Sequence, residues 1–202
     1  GLDELDYLRL AQRVGAVVHS AALVNFALPY ASMRSNVTST LDVVRFCSEG
    51  QTKALHFVST YSVLDPRVAS IGEDVAVSDH DLLDFGYARS KWVCEQLIQR
   101  AGTAGLDCRI YRPSRIVSAV PGEALNSTDF YSLVLAGSVA AGVAPDNAGV
   151  DNFVAVASVA RRIAESALES FQGVQAINLC ADDWTSWSSV LRLLEKAGVT
   201  MQ

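Results

Sequence analysis

Short apolar runs alternate with segments of helical periodicity along the first part of the chain. The apolar runs, which are typical of buried strands, lie at residues 16–22, 54–60 and 108–112. The segments with helical spacing lie at residues 30–47 and 87–101. Because strands and helices alternate and the strands are apolar, the pattern predicts a parallel sheet with helices on both faces. A sheet of this kind binds ligands at the carboxyl ends of its strands.

Beyond Pro113 the periodicity is weaker and turn residues are more frequent. Turn signals occur at residues 121–122, 126–127 and 145–147. Three more helices and a fourth strand are predicted, the helices at residues 130–141, 158–170 and 185–197 and the strand at residues 176–180. Thr185 or Ser186 suits the N-cap of the last helix. We therefore expect a sheet core over residues 1–120. Residues 121–202 are expected to form mainly a smaller lobe, with a returning strand near 176–180.

The composition favours a folded domain with a large core. Half of the 202 residues are apolar and 19% are charged, which argues against intrinsic disorder. The net charge is −6 and basic residues are scattered, so we expect no nucleic-acid partner. Apolar runs stay below the roughly 20 residues that a membrane-spanning helix needs, and no signal peptide opens the chain. We therefore expect no membrane partner.

The cysteines and histidines do not form a metal-binding pattern. The four cysteines lie far apart without a C-x-x-C pair, and the three histidines lack metal-ligand spacing. Buried free thiols in a reducing compartment are the simplest interpretation, which favours a cytoplasmic protein. We expect no disulfide and no metal site.

A tyrosine and a lysine four residues apart are the first candidates for chemistry. Tyr87 and Lys91 fall in a predicted helix, where this spacing puts both side chains on one face. An ammonium group near a phenol favours the phenolate, so we expect a lowered pKa for Tyr87. Thr60 ends the preceding predicted strand, where a hydroxyl can donate to the same carbonyl oxygen that Tyr87 protonates. A coincidental Tyr/Lys pair and an ordinary turn threonine are the alternatives.

Several motifs in chain order resemble the extended short-chain dehydrogenase/reductases, from about residue 1 to residue 197. Within that superfamily, the segment at residues 22–30 is similar to thioester reductase domains. Such domains end nonribosomal peptide and polyketide assembly lines and occur in carboxylic acid reductases and aminoadipate reductases. The motifs that carry the resemblance lie at residues 19–22, 36–40, 58–60, 87–91 and 111–116.

The resemblance implies a Rossmann-like fold and a set of site residues. Thr60, Tyr87 and Lys91 would be catalytic. Ala21 and Ala22 would end a strand beside the adenosine half of the cofactor. The cofactor-binding residues that the resemblance implies are Ala21, Ala22, Asn36, Ser59, Tyr87, Lys91, Pro113, Ser114, Arg115 and Ile116. For Asn36, which the resemblance places on a helix bracing the active site, a surface or capping role is an equal alternative.

The resemblance also implies an activity. The expected reaction is NADPH-dependent reductive release of an acyl thioester, carried on the phosphopantetheine arm of an acyl or peptidyl carrier protein, to an aldehyde or alcohol. In that case residues 1–120 are a partial NAD(P)-binding core and residues 121–202 mainly a lobe on the substrate side. A nucleotide-sugar epimerase, dehydratase or reductase and a non-redox release or docking domain are the alternatives.

The glycine-rich turn with which the family opens is missing before residue 16. That turn holds the cofactor pyrophosphate at a helix N-terminus. We expect the chain to be a fragment of a longer protein, the other possibility being a variant that has lost cofactor binding. The preference for NADP over NAD rests on the resemblance alone.

Overall fold

A computed structural model of the chain describes residues 2–64, 72–73, 83–118, 129–144 and 149–199. The helices are α1 Glu4–Arg13, α2 Arg34–Ser48, α3 Gly86–Thr103, α4 Phe130–Ala141, α5 Val156–Ala167 and α6 Trp187–Lys196. The strands are β1 Ala16–His19, β2 Ala54–Val58, β3 Cys108–Pro113, β4 Arg115–Val117, β5 Val150–Ala155, β6 Val174–Leu179 and β7 Trp184–Ser186. Short 3-10 turns occupy Tyr30–Met33 and Tyr61–Val63. The predicted turns at 121–122, 126–127 and 145–147 lie outside the described residues.

The chain divides into two compact units. The first comprises Gly1–Pro113 and Arg161–Leu179, and the second comprises Ser114–Ala160 and Cys180–Gln202. The strand predicted at residues 176–180 is β6, and it belongs to the first unit.

A four-stranded parallel sheet in the order β1-β2-β3-β6 forms the centre of the first unit. Phe57 of β2 pairs with His19 of β1 on one side and with Ile110 of β3 on the other. All three pairings are parallel, which confirms the predicted α/β fold. The carboxyl ends of β1, β2 and β3 therefore lie at one edge of the sheet.

Alternation along the strands produces the hydrophobic core of this unit. Leu55 and Phe57 of β2 and Ile110 of β3 face α2 and α3, because every second strand residue points to the same face. They are almost fully buried and cluster with Cys94 and Ile98 of α3. Burial of each large aliphatic or aromatic side chain contributes about 1.5–3 kcal/mol. The core thus joins α3 firmly to β2 and β3.

The second unit contains a sheet that the periodicity did not predict. β4 pairs in parallel with β5, and β5 pairs antiparallel with β7. Asn152 of β5 is fully buried, and its Oδ1 accepts hydrogen bonds from Ser114 Oγ at 2.7 Å and from the Ala181 main-chain N–H at 2.9 Å. Strands of three residues, such as β4 and β7, are too short to show alternation in a sequence. The buried side-chain amide of Asn152 links the residues that precede β4 and β7.

Side-chain caps fix where two helices of this unit begin. The Asp129 carboxylate accepts from the main-chain N–H groups of Tyr131 and Ser132 at the start of α4, and Ser186 caps α6 by accepting from Ser189. These bonds satisfy N–H groups that a helix leaves unpaired at its first turn. Ser186, one of the two predicted N-cap residues, is therefore the cap of α6.

Three predictions about local structure need correction. The first strand ends at His19 and the second at Val58, so the predicted runs to residues 22 and 60 were too long. The chain leaves the sheet there, since Ser59 and Thr60 begin a turn. The thiol of Cys180 is exposed, whereas those of the other three cysteines are buried as predicted. Among the helices in the described ranges, none combines the length and the apolar character that crossing a bilayer requires.

Truncating a core side chain should test the packing of the first unit. Ile110→Ala leaves a cavity between the sheet and α3, and we expect it to lower the free energy of unfolding by about 2–5 kcal/mol. Leu168→Ala is the control, because Leu168 is 90% exposed. Urea unfolding followed by circular dichroism measures both. Equal, small losses in the two variants would contradict this account of the core.

Candidate active site

Helix α3 carries three polar side chains in one row. Tyr87, Lys91 and Glu95 are spaced by four residues and are all buried. At this spacing the side chains lie above one another on one helix face. That face meets the carboxyl end of β2, because Lys91 and Glu95 both bond to residues there. The helix therefore delivers a phenol, an ammonium and a carboxylate to one edge of the sheet.

The ammonium group of Lys91 is anchored to the last residue of β2. Its Nζ donates to the main-chain oxygen of Val58 at 2.7 Å and lies 4.6 Å from the centre of the Phe57 ring. Burial lowers the pKa of Lys91 to about 8, while neighbouring Cys94 and Glu95 oppose that shift. Below pH 8 the group is charged. Among the described residues Val58 is the hydrogen-bond acceptor for Nζ, which has three N–H donors.

The phenol of Tyr87 is protonated at neutral pH. Burial raises the pKa of Tyr87 to about 12, with a smaller contribution in the same direction from Cys94. The expectation that Lys91 lowers this pKa is therefore wrong for this structure, because burial disfavours the charged phenolate and raises the pKa. A protonated phenol is a hydrogen-bond donor and an acid, which is the form needed to give a proton to an oxygen.

Thr60 stands at the turn that follows β2. Its Oγ1 accepts from the main-chain N–H of Ser62 at 3.2 Å and donates to the Ser62 hydroxyl at 3.2 Å. These bonds begin the 3-10 turn Tyr61–Val63, which packs against α3. The hydroxyl of Thr60 is mostly buried. Lys91 is thus bonded to Val58, the last residue of β2, and Thr60 follows two residues later, where it begins the turn.

The segment at residues 23–30 is fastened to α2 and α3 by Asn36. The Asn36 amide group accepts from the Leu23 main-chain N–H at 2.7 Å and donates to the Leu23 main-chain oxygen at 2.9 Å. It also donates to Ser90 Oγ at 3.1 Å, and that hydroxyl donates to the main-chain oxygen of Tyr87 at 2.7 Å. Asn36 is buried within α2, so the surface and capping alternatives are wrong. Its side chain braces the helix that carries Tyr87.

The same segment makes a direct aromatic contact with Tyr87. The Phe26 ring lies edge-on to the Tyr87 ring, with 5.4 Å between centroids, and edge-on to Phe85 at 5.6 Å. Asn25 fixes the turn of the chain around Phe26, because its side-chain oxygen accepts from the main-chain N–H groups of Ala27 and Leu28. The segment that distinguishes the thioester reductase resemblance therefore contacts the Tyr87 ring through Phe26.

The remaining predicted cofactor residues are spread over both units. Ala21 and Ala22 follow β1 in irregular structure of the first unit, and Pro113 ends β3. Within the second unit, Ser114 donates to Asn152 and Arg115 pairs with Asp151 at 2.8 Å; Ile116 is 43% exposed. Their contacts with a cofactor remain a prediction.

Two buried charges next to the predicted group were missed. Glu95 accepts from the Ser59 hydroxyl at 2.5 Å and forms an ion pair with Arg112 of β3 at 2.8 Å. The signal for Glu95 was present in the sequence, since it continues the Tyr87 and Lys91 spacing by one more turn. The position of Arg112 on a buried strand gave the corresponding hint, because a charged residue there needs a partner.

Comparison with known proteins identifies the family to which the chain belongs. The profile of the NAD-binding family described as "Male sterility protein" matches residues 1–163. The chain belongs to this family. The extended reductase resemblance stated from the motifs is thereby confirmed, together with an NAD(P)-binding domain of Rossmann-like fold.

Curated relatives of this male sterility family member include reductases and peptide synthetases. L-2-aminoadipate reductase of Saccharomyces cerevisiae is 34% identical over 183 residues, which are 83% of this chain and 13% of the relative. Isonitrile lipopeptide synthase of Streptomyces coeruleorubidus is 38% identical over 148 residues, 72% of this chain and 10% of the synthase. The chain thus spans about an eighth of the length of the first of these relatives.

Solved structures agree with this placement. The terminal R domain from the myxalamid PKS-NRPS biosynthetic pathway is 33% identical, with a TM-score of 0.92, and the match covers all of this chain and 52% of that one. MoeE5 in complex with UDP-glucuronic acid and NAD has a TM-score of 0.78 at 18% identity, covering 98% of this chain and 67% of that one. At that identity the second likeness concerns the fold alone.

A glycine at the start of α3 offers a test of the contact with residues 23–30. A Cβ on Gly86 would lie 2.4 Å from the Leu28 main-chain oxygen and 2.5 Å from the Tyr30 main-chain nitrogen. Because backbone atoms cannot swing aside, we expect Gly86→Ala to lower the free energy of unfolding by about 1–3 kcal/mol. Gly15→Ala, which meets nothing within 4 Å, is the control in the same urea titration. Equal stability of the two variants would rule out this close approach.

Proposed function

We propose that the protein catalyses NADPH-dependent reductive release of an acyl thioester from a carrier protein, giving an aldehyde or an alcohol. The observation that carries the proposal is the row on α3. A protonated Tyr87 stands one helical turn from a buried Lys91 ammonium, which is bound to Val58 at the end of β2. The 33% identity to a terminal R domain and the 34% identity to an aminoadipate reductase support the reductive chemistry.

The residues at this edge fit a nicotinamide cofactor. The buried Lys91 ammonium uses one N–H to bond to Val58 among the described residues. Its other N–H groups suit the hydroxyls of a ribose. In the proposal, Tyr87 and Lys91 face the nicotinamide ribose, Ala21 and Ala22 lie beside the adenosine half, and residues 113–116 form the loop against the nicotinamide ring. NADPH, when bound, supplies hydride to the carbonyl carbon.

In the proposed reaction, Tyr87 and Thr60 act on the thioester oxygen. Both hydroxyls donate hydrogen bonds to it, Thr60 by turning its single O–H from the Ser62 hydroxyl to the substrate, and these bonds strengthen as negative charge develops on the oxygen. Tyr87 then gives its proton to this oxygen as a general acid. The raised pKa of Tyr87 keeps that proton in place at neutral pH until the oxygen becomes basic. Lys91 stabilises the phenolate that remains, because its positive charge, one helical turn away, attracts the phenolate oxygen.

Release follows from the product of this step. The carbon that has accepted hydride carries a hydroxyl and the sulfur of the phosphopantetheine arm. When the carbon–sulfur bond breaks, the hydroxyl gives up its proton, the leaving sulfur takes up a proton to become the thiol of the phosphopantetheine arm, and the acyl group leaves as an aldehyde. Reduction of the aldehyde to an alcohol would need a second NADPH as the hydride source and a reprotonated Tyr87 as the acid. The 38% identity to isonitrile lipopeptide synthase supports an assembly-line setting with a carrier protein as partner.

Replacing the phenol tests the proposal. In the intact protein that carries this sequence, we expect Tyr87→Phe to lower kcat for an acyl-carrier thioester by about 10²–10⁴-fold, because the proton donor is lost. The rate of NADPH oxidation, followed by its absorbance, measures turnover. Tyr7→Phe is the control, since Tyr7 is a surface tyrosine bonded to Glu49, and it should keep the wild-type rate.

Two further arms of the experiment separate the proposal from its alternatives. Replacing the acyl thioester with a UDP-sugar should abolish turnover, and replacing NADPH with NADH should weaken it. Undiminished turnover of Tyr87→Phe would discard the mechanism. A protein that does not bind NADPH in a saturable manner would discard the reductase assignment altogether.

A further inference from the structure

A buried ion pair lies directly behind the proposed catalytic row. The carboxylate of Glu95 accepts from Arg112 Nη2 at 2.8 Å and from Arg112 Nε at 3.1 Å. Both side chains are almost completely buried, with 1% and 3% of their surface exposed. This bidentate pair joins α3 to β3 at the level of the helix turn that follows Lys91.

The same carboxylate holds the residue before Thr60. Ser59 Oγ donates to Glu95 Oε1 at 2.5 Å, while the Ser59 main-chain N–H donates to the Tyr111 main-chain oxygen at 2.7 Å. Lys91, one turn away on α3, holds Val58. Two successive residues at the end of β2 are therefore each bonded to a side chain of α3. The direction in which the chain leaves β2, and with it the place of Thr60, depends on these bonds.

Stability alone is a weak reason for such an arrangement. Removing two charges from water costs about as much free energy as their mutual attraction returns. Apolar residues of the same volume therefore often give the folded protein equal stability. Within the described part of the chain, Arg112 Nη1 is buried without a hydrogen-bond partner, which adds to that cost. What an apolar pair cannot supply is an acceptor for the Ser59 hydroxyl and a fixed anion beside Lys91.

From these contacts we propose that Ser59, Glu95 and Arg112 form a positioning relay for the reaction proposed above. Arg112 orients the Glu95 carboxylate, Glu95 fixes Ser59, and Ser59 sets the position of Thr60 relative to Lys91. In this role Ser59 acts through Thr60. Its hydroxyl donates its hydrogen bond to Glu95, so Ser59 serves the site by holding the strand end. The inference rests on the proposed function, because it assigns these residues to the working geometry of Thr60 and Lys91.

Charge is the second contribution of the relay. The titratable groups around Lys91 are Tyr87, Cys94 and Glu95 on α3 and His19 on β1. Of these, Glu95 provides the carboxylate, and it favours the ammonium form of Lys91 against burial. Removing this negative charge should therefore let Lys91 lose its proton at a lower pH.

Ser59→Ala tests the positioning role while leaving the ion pair in place. We expect kcat for an acyl thioester with NADPH to fall about tenfold, in the lower range for a misplaced catalytic group, with KM for the thioester unchanged. Tyr111→Phe is the matched control, because it also removes one buried hydroxyl, which bonds to His56 at 2.8 Å on the opposite face of the sheet. The control should keep the wild-type kcat. Equal kcat values for the two variants, after correction for folded protein, would overturn the relay.

Glu95→Gln tests the charge. Its alkaline limb in the pH profile of kcat should move to lower pH by about 1 unit, whereas Ser59→Ala should leave that limb in place. Because Glu95→Gln leaves Arg112 buried and unpaired, the double variant E95Q/R112M is measured beside it, and thermal unfolding reports whether each folds. We expect the double variant to regain melting temperature without regaining kcat. Recovery of kcat with stability would show a merely structural pair and contradict the proposal.

The Tyr87→Phe variant separates the two levels of inference. If it is inactive while Ser59→Ala and E95Q/R112M match the wild type, the relay alone is wrong. If Tyr87→Phe turns over normally, the proposed function fails and the relay fails with it.

Discussion

The hydrogen bond from the Lys91 ammonium to the main-chain oxygen of Val58 joins the helix that bears the phenol to the strand that leads to Thr60. A buried ammonium requires a hydrogen-bond acceptor, and the main-chain oxygens at the end of a parallel strand can accept such a bond. Because this contact satisfies both groups, it sets the distance between α3 and the end of β2. The Phe57 ring beneath the ammonium and the apolar core below it keep the two elements in that relation.

The charges at this edge explain its chemistry. Arg112 engages both oxygens of the buried Glu95 carboxylate, and the buried Lys91 lies one helical turn before Glu95 on α3. Burial lowers the pKa of Lys91 to about 8, although Cys94 and Glu95 oppose that shift. The phenol of Tyr87, buried beside it, is held in the protonated form. An acid that keeps its proton and a cation near its titration point are suited to proton transfer.

Much of this was visible in the sequence. The alternation of apolar runs and helical segments predicted the parallel sheet, because strands that are buried on both faces are mainly apolar. The spacing of Tyr87 and Lys91 predicted one helix face. Strands β4 and β7 escaped prediction because three residues cannot show a period. Their place depends on Asn152, whose contacts with Ser114 and the Ala181 main chain are distant in sequence.

The pKa of Tyr87 could not be predicted for a different reason. Spacing along a helix shows that Lys91 is one turn away, but the direction of the pKa shift depends on how much water the fold excludes from the phenol. Burial raises the pKa of Tyr87. Glu95 and Arg112 show the same limit. The sequence places both charged residues at buried positions, where each needs a partner. Only the three-dimensional structure shows that they pair with each other between α3 and β3.

The titration of Lys91 tests the central claim most directly. Lysine side chains labelled with ¹³C at Cε report their own protonation by NMR, and the Lys91 signal is assigned by its loss in Lys91→Met. The account predicts a midpoint near the pKa of about 8 that burial against Val58 and Phe57 gives this group. A midpoint at the ordinary lysine pKa of about 10.4 would show a solvated ammonium and contradict the account.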